Sequence, residues 1–349
     1  MKQVSKFLFL VSIAFLSSCS NDDDAITTPE PLGAYENGYF ILNEGGSNTM
    51  TASVTYISEN GTQTDDVFRI ENPDQAEIGT FLQNIFFDDT RAFIVSGSTN
   101  SVTVYNRYTF EYITTITSNI STPRYGTVLN GKAYVTNQDS FSTGTDDFIT
   151  VINLEDYSTS QIAVGDYVER ITNNNGNIYI MNGTFGSGNA ITVLNPTTEV
   201  ITPIDLGAGN SPNSMSIEGN TLYTLTSSQK LIKVNLTNNV LDTPIDIPTV
   251  LTSPKNLDLE NGMLYFTSGT SVYSLGINDT TISTTPIATY VSTSAFGSMY
   301  GFNVENGVIH ISDAGDFNSN GQAFEYSIDG DLLESRTVQG NAPNGFYFN

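Results

Sequence analysis

The sequence predicts an all-β chain folded as a seven-bladed β-propeller, and three observations carry that expectation. The first is a hairpin cassette centred on Asn130-Gly-Lys-Ala-Tyr-Val-Thr-Asn137. It reads as a short strand from Gly126 to Leu129, an Asn-Gly turn, a β-rich run from Ala133 to Thr136, a polar loop, and a third run from Ile149 to Asn153. Asn-Gly between β-branched runs is a strong hairpin signal, because both turn residues must accept positive φ. The second observation is that the cassette recurs, as Asn175-Gly-Asn-Ile-Tyr-Ile180, Gly219-Asn-Thr-Leu-Tyr-Thr224, Asn261-Gly-Met-Leu-Tyr-Phe266 and Asn306-Gly-Val-Ile-His-Ile311. Weaker copies sit at Asp88–Phe93 and Asn37–Phe40. The third is the step: Phe93, Tyr134, Tyr179, Tyr223, Tyr265 and His310 fall 41 to 45 residues apart. A period of about 40–45 residues with several short strands per repeat is what propeller blades produce. An open solenoid of that period is usually helical, and no sustained helical periodicity runs through this chain. The remaining alternative is an all-β sandwich with coincidental spacing.

Taken in order, residues 1–18 read as a targeting signal outside the fold. Lys2 and Lys6 form a basic start, and Phe7–Leu16 is an apolar segment too short to span a bilayer. Leu16-Ser-Ser-Cys19 resembles a bacterial lipobox, which makes Cys19 the expected lipidation site; the alternative is an ordinary signal-peptidase site beside a stray thiol. Cys19 is the only cysteine, so no internal disulfide can staple an exported domain, and stability must come from core burial. Residues 19–35 read as the lipidated cysteine and a flexible tether. Their acidic start, Ser20-Asn-Asp-Asp-Asp24, resembles the surface-export signal of lipoproteins from Bacteroidetes, or else is simply a solvated linker. Residues 36–349 are the expected propeller. From anchor, tether and domain the expected location is the outer membrane, with attachment through lipid alone and the exterior face expected over the periplasmic one.

With 37 acidic against 12 basic residues, the net charge is −25. No basic stripe is available to displace counterions, so nucleic acid and anionic membrane surfaces are not expected partners.

Blade one begins at Gly38–Gly46 with a partner strand at Ser53–Ile57, and its opening strand is missing. Strands that open other blades follow a proline or polar turn, as in Pro123-Arg-Tyr-Gly126, Pro212–Ile217 and Pro254–Leu259. The C-terminus carries the same unit, Pro343-Asn-Gly-Phe-Tyr-Phe348, which is expected to pair inside blade one and close the ring. Asp74–Gln83, between blades one and two, is the one stretch with helical character, read as a single turn on a face.

Asn43-Glu-Gly, Ser121-Thr-Pro-Arg-Tyr125 with Ala133-Tyr-Val-Thr136, Pro212-Asn-Ser-Met215, and the end from Asp313-Ala-Gly-Asp to Asn344-Gly-Phe-Tyr-Phe348 together resemble the YncE-type seven-bladed propeller lipoproteins of Bacteroidetes. The resemblance spans residues 38–349. It implies the propeller fold and lipid anchoring. It also points to kinship with the surface corrinoid-binding propellers that cap the TonB-dependent cobalamin transporter, so a corrinoid ligand and such a transporter partner are what it implies.

Candidate chemistry is narrow. His310, the only histidine, occupies the repeated aromatic position and is expected to pack in the core or between blades. Gly183-Thr-Phe-Gly-Ser-Gly188 lacks the following helix of a phosphate-binding loop and reads as a hairpin loop. Asp146 and Asp147 are adjacent, so their side chains point apart, and they read as surface. Asp316, Asn318 and Asn320 match the first half of a calcium loop, but position twelve is Ser327 rather than glutamate; calcium and a plain polar turn both stay open.

In a propeller, loops between second and third strands share one face with the connections between blades. Here the former are long at Asn43–Ala52, Asn137–Asp147, Asn182–Ala190 and Asp313–Ala323, and short at Ser227–Lys230 and Ser268–Ser271. That face is expected to present Asn43, Glu44, Arg124, Tyr125, Tyr167, Arg170, Asn213, Lys255, Asn256, Phe296 and Tyr300 as ligand-binding residues. Aromatics supply area and amides supply fixed hydrogen bonds, which suits a bulky amide-rich ligand such as a corrinoid. The expected function is therefore a surface binding module that hands a captured nutrient to an outer-membrane transporter, with no catalytic residues. The alternatives are a cell-surface protein-interaction scaffold and a propeller enzyme of lactonase or quinoprotein type, for which a carboxylate-bound cation would be needed.

Overall fold

Six of the seven antiparallel blades have four strands, and in blade five two short segments share the outer position; blades form because their second and third strands bury both faces. Ala92–Val95, Ala133–Thr136 and Ile178–Met181 are buried without interruption, as a strand between two covering layers requires, while outer strands such as Thr159–Ala163 bury one residue in four or five. The computed structural model describes residues 31–349 apart from 47–51, 141, 293 and 295–298. Leu32–Asn349 is one unit. Cys19 and Phe296 thus lie outside the described residues.

Seven sheets form the ring. Blade two comprises Leu82–Phe87, Arg91–Ser96, Ser101–Asn106 and Tyr112–Ile116; blade three Pro123–Leu129, Lys132–Asn137, Phe148–Asn153 and Thr159–Ala163; blade four Ile171–Asn174, Asn177–Thr184, Ser187–Leu194 and Ile201–Asp205. Blade five comprises Pro212–Glu218, Thr221–Thr226 and Lys230–Asn235, with Val240–Leu241 and Ile245–Asp246 both pairing on the last. Blade six is Lys255–Glu260, Met263–Ser268, Ser271–Gly276 and Ala288–Thr289, and blade seven Met299–Glu305, Val308–Asp313, Gln322–Ser327 and Leu332–Thr337. The C-terminal strand Pro343–Phe348 is the inner strand of blade one, antiparallel to Gly38–Asn43 with Ile41 opposite Phe346, followed by Ser53–Ser58 and Gln63–Thr64. The ring is closed by the two chain ends, as the terminal Pro-Asn-Gly-Phe-Tyr-Phe unit predicted.

The Asn-Gly turns are left-handed at both residues: φ is 52° and 73° at Asn130 and Gly131, 47° and 79° at Asn175 and Gly176. Leu129 and Lys132 pair across the first of these turns. The repeated aromatic is the bolt between blades. Tyr134 packs with Ile178 and Ile180 of blade four, Tyr179 with Leu222 and Ile232 of blade five, and Tyr265 with Ile309 and Ile311 of blade seven. His310 fills that role at the closing seam, 4.9 Å from the Tyr39 ring and 5.4 Å from the Phe346 ring. Burial pushes its imidazole down to about 4, so it is neutral near pH 7.

Four expectations are corrected. The helix between blades one and two is α1, Val67–Glu71, not Asp74–Gln83. Five residues cannot hold a helix alone; Val67 and Phe68 are buried in the cluster between those blades and anchor it. Tyr35, read with the tether, is 4% exposed in the same cluster, and its N–H donates to the Tyr108 carbonyl. Asn182–Ala190 is not an open loop: the ladder continues through a bulge to a Thr184–Ser187 pair, leaving Phe185-Gly186 at the tip. Asp147, read as surface, is 1% exposed, and one carboxylate oxygen accepts the Val168 N–H at 2.9 Å, while Asp146 stays exposed.

Candidate functional site

The starts of the inner strands and the turns between second and third strands converge on one mouth of the ring, because strand direction repeats in every blade. They enclose a cavity of about 600 Å³. Blade one contributes Glu44, Asn341 and Asn344; blade two Phe81 and Gln83; blade three Arg124 and Tyr125. The approach to blade four gives Arg170, and its long hairpin gives Phe185. Blades six and seven add Lys255, Asn256, Tyr300, Phe317 and Asn318. Below it the channel narrows to about 150 Å³, where Asn84, Asn303 and Tyr347 join Tyr125, Arg170 and Tyr300.

Of the sequence-predicted residues, Glu44, Arg124, Tyr125, Arg170, Lys255, Asn256 and Tyr300 meet in this cavity. Three others lie elsewhere. Asn43 is fully buried and donates to the hydroxyls of Ser53 and Thr55 at 3.1 and 3.3 Å. Asn213 donates to the Pro254 carbonyl at 2.9 Å and straps blade five to blade six. Tyr167 packs over Gly144, and its carbonyl accepts from Asn182. Among the candidate calcium ligands, Asp316 accepts the N–H groups of Asn318 and Ser319, and Asn320 accepts that of Gly340. These side chains serve the loop itself, and among the described residues no three His, Cys, Asp or Glu side chains are grouped to hold a metal ion.

The polar floor is largely wired in advance. Arg124 meets Glu169 with Nη2 to Oε1 at 2.6 Å and Nε to Oε2 at 3.1 Å, and Gln138 donates to the same carboxylate at 2.7 Å. Burial opposes the Arg124 charge, but Glu169 outweighs it and holds the guanidinium above its ordinary range. Glu44 accepts the Tyr300 hydroxyl at 3.0 Å and the Asn344 amide at 3.1 Å. Burial nonetheless raises its carboxyl above the ordinary range. Asn344 also donates to the Leu82 carbonyl at 2.6 Å, so one amide joins the closing strand, the site and blade two. Arg170 lies over the Tyr125 ring, 4.9 Å from its centroid.

The rim is aromatic. Phe81, Phe185 and Phe317 all line the cavity, are 43%, 88% and 39% exposed, and have φ of 54°, 47° and 60°. A bulky side chain in the left-handed region costs about 1–2 kcal/mol, and such strain clusters at ligand clamps. Phe317 also stands edge-on to Tyr300 at 5.3 Å. Sequence reasoning missed this rim, together with Gln83, Asn341 and Asn344. The available signal was a lone phenylalanine within each polar loop, Thr184-Phe-Gly186 and Asp316-Phe-Asn318.

Solved structures with this architecture are only distantly similar in sequence. A functionally unknown protein from Desulfotomaculum acetoxidans DSM 771 is 13% identical, with a TM-score of 0.64 over 89% of this chain and 98% of that one. Virginiamycin B lyase from Staphylococcus aureus is 14% identical, with a TM-score of 0.60 over 76% and 87%. A quinonprotein alcohol dehydrogenase-like protein from Bacteroides thetaiotaomicron VPI-5482 is 13% identical, with a TM-score of 0.60 over 90% and 78%. At such identities these likenesses concern the fold alone. No curated protein matches the sequence. Residues 37–319 match the family described as Domain of unknown function (DUF5074), and the chain belongs to that family.

Proposed function

We propose that this protein is a lipid-anchored surface module that captures a bulky nutrient at the channel mouth, most concretely a corrinoid, for a TonB-dependent outer-membrane transporter. The observation that carries the capture reading is the mouth itself: three exposed left-handed phenylalanines around a cavity of about 600 Å³ with an amide-rich wall. Exposed aromatics held in a strained conformation lose area to water in the free protein and regain it against a flat apolar ligand body. Asn256, Asn341 and Asn344 line the same wall; their amide nitrogens already donate to Thr267, to the Phe317 carbonyl, and to Glu44 and the Leu82 carbonyl, so only their remaining capacity is open to the amide-bearing side arms of a corrin ring. The corrinoid and the transporter come from the family resemblance, and the anchor from Leu16-Ser-Ser-Cys19. No residue is assigned a catalytic role.

Calorimetric titration of the detergent-solubilised protein with cyanocobalamin and with cobinamide tests the reading. Saturable one-to-one binding that weakens at least tenfold in Phe185→Ala supports it. No heat and no thermal shift with either corrinoid removes the corrinoid and leaves capture of another ligand to be sought at the same mouth.

A further inference from the structure

Resting on the reading of the mouth as a ligand site, but not on the ligand being a corrinoid, we propose that Arg170 and Lys255 form an oxyanion subsite, so that the captured ligand carries a phosphate or carboxylate group. The chain has 12 basic residues against 37 acidic ones, yet three of the twelve line one cavity. Arg124 is neutralised by Glu169. Arg170 and Lys255 have no ion pair and no side-chain hydrogen-bond acceptor among the described residues.

The carboxylates nearby are already engaged. Glu169 is held by Arg124 and Gln138, and Glu44 by Tyr300 and Asn344. Arg124 is the cation whose charge acts on Glu44. The floor therefore presents three cations against two committed carboxylates, an excess of one positive charge; Tyr125, Glu169 and Tyr347 also act on Arg170 and hold its guanidinium above the ordinary range, while Lys255 has no such neighbour.

An unpaired cation drawn out of water is costly, and chains normally answer it with a carboxylate. In so acidic a chain the omission is informative. Desolvation pulls the Lys255 ammonium below its ordinary range, the direction expected for a cation with nothing opposite it. The Arg170 guanidinium carbon lies 4.9 Å from the Tyr125 ring centroid, and no protein acceptor among the described residues takes its N–H groups, which are the donors a carboxylate or phosphate would use. Lys255 supplies a point charge beside it, and the phenylalanine rim receives the apolar remainder. The ligand class is thus amphipathic, with an aromatic or otherwise flat body and one oxyanion.

The test is thermal melting and calorimetry of the full-length protein near pH 7 with sodium phosphate and with sodium acetate, each against sodium chloride at equal ionic strength. A saturable rise in melting temperature over chloride is expected with at least one of the two. Which of them acts separates a phosphate-bearing from a carboxylate-bearing ligand. Arg170→Gln and Lys255→Gln should each weaken that effect about tenfold or more, whereas Lys132→Gln, at an exposed hairpin turn, should not. Lys255 holds no other group in place, so its variant remains informative if Arg170→Gln misfolds. Absence of any effect over chloride, or an effect that survives in Lys255→Gln, overturns the subsite. The two proposals fail separately. Cyanocobalamin binding with no effect of either anion over chloride would sink the subsite and keep the corrinoid; anion binding that depends on Lys255, without corrinoid binding, would do the reverse.

Discussion

Arg124 and Glu169 face each other fork to fork, with nitrogen–oxygen distances of 2.6, 3.1 and 3.3 Å, beneath the mouth of the channel. The pair ties the opening of blade three to the connection that leads into blade four. Glu169 is 9% exposed, and without Arg124 the Gln138 amide would be the one side-chain hydrogen-bond donor left to its carboxylate among the described residues. Arg124 is therefore part of the frame that holds the site, whatever contact it also makes with a ligand.

Arg124→Ala should destabilise the domain by about 3–5 kcal/mol, because it strands a buried carboxylate. The double substitution Arg124→Met with Glu169→Leu should recover most of that loss. Urea midpoints of the three proteins measure it. A single variant that unfolds like the parent would show that the pair carries no structural load.

Ring closure rests on the last strand. Phe346 is 6% exposed between Tyr39 and His310, and Asn349 donates to the Tyr35 and Arg107 carbonyls. Phe346→Ala should cost about 3–5 kcal/mol. Deleting residues 343–349 exposes an edge of blade one and should lower the melting temperature of the whole domain, not merely fray one blade. A truncated protein that melts with the parent would mean the ring holds without its clasp.

Phe185 separates stability from binding. It is 88% exposed with φ of 47°, so Phe185→Gly removes little packing and relieves backbone strain. Stability should hold or rise by up to about 1 kcal/mol, while ligand affinity falls. A drop in melting temperature of several degrees would instead assign Phe185 to the fold.

Two buried carboxyls should make stability fall as pH rises from about 4 to about 7, against the opposite slope of His310, whose imidazole is charged only in the unfolded chain over most of that range. Burial, reinforced by the charges of Asp146, Asp166 and Asp139, pushes the Asp147 carboxyl up from 3.8 to about 7. Over that window the unfolded chain releases a proton that the folded chain keeps, and above it the penalty is complete. Asp258, raised by burial to about 6, adds to the same slope. Asp147→Asn should flatten the slope in part, read as melting temperature at several pH values from 4.5 to 8. An unchanged slope would remove Asp147 as a source.

Several features were legible because they are local. Asn130-Gly131 and its copies specify two left-handed residues, and nothing distant alters that requirement. The spacing from Phe93 to His310 follows from one blade repeating. Which aromatics reach the ligand was hidden, since Tyr134 and Phe185 are alike in composition and differ only in what surrounds them. Asp146 and Asp147 show the same limit: neighbours in sequence, one lies in water and the other under Val168.

The sequence by itself determined the number of blades, the turns between their strands and the strand that closes the ring, because these depend on φ preferences, alternation and period. Only the tertiary structure decided that Arg124 is paired and Arg170 is not, that Asn213 is a strap rather than a ligand contact, and that three phenylalanines from blades two, four and seven stand around one mouth. The reason is physical. A propeller brings together residues more than two hundred positions apart, such as Tyr300 and Glu44, and the partner that satisfies or leaves free a charge is chosen only when the ring closes.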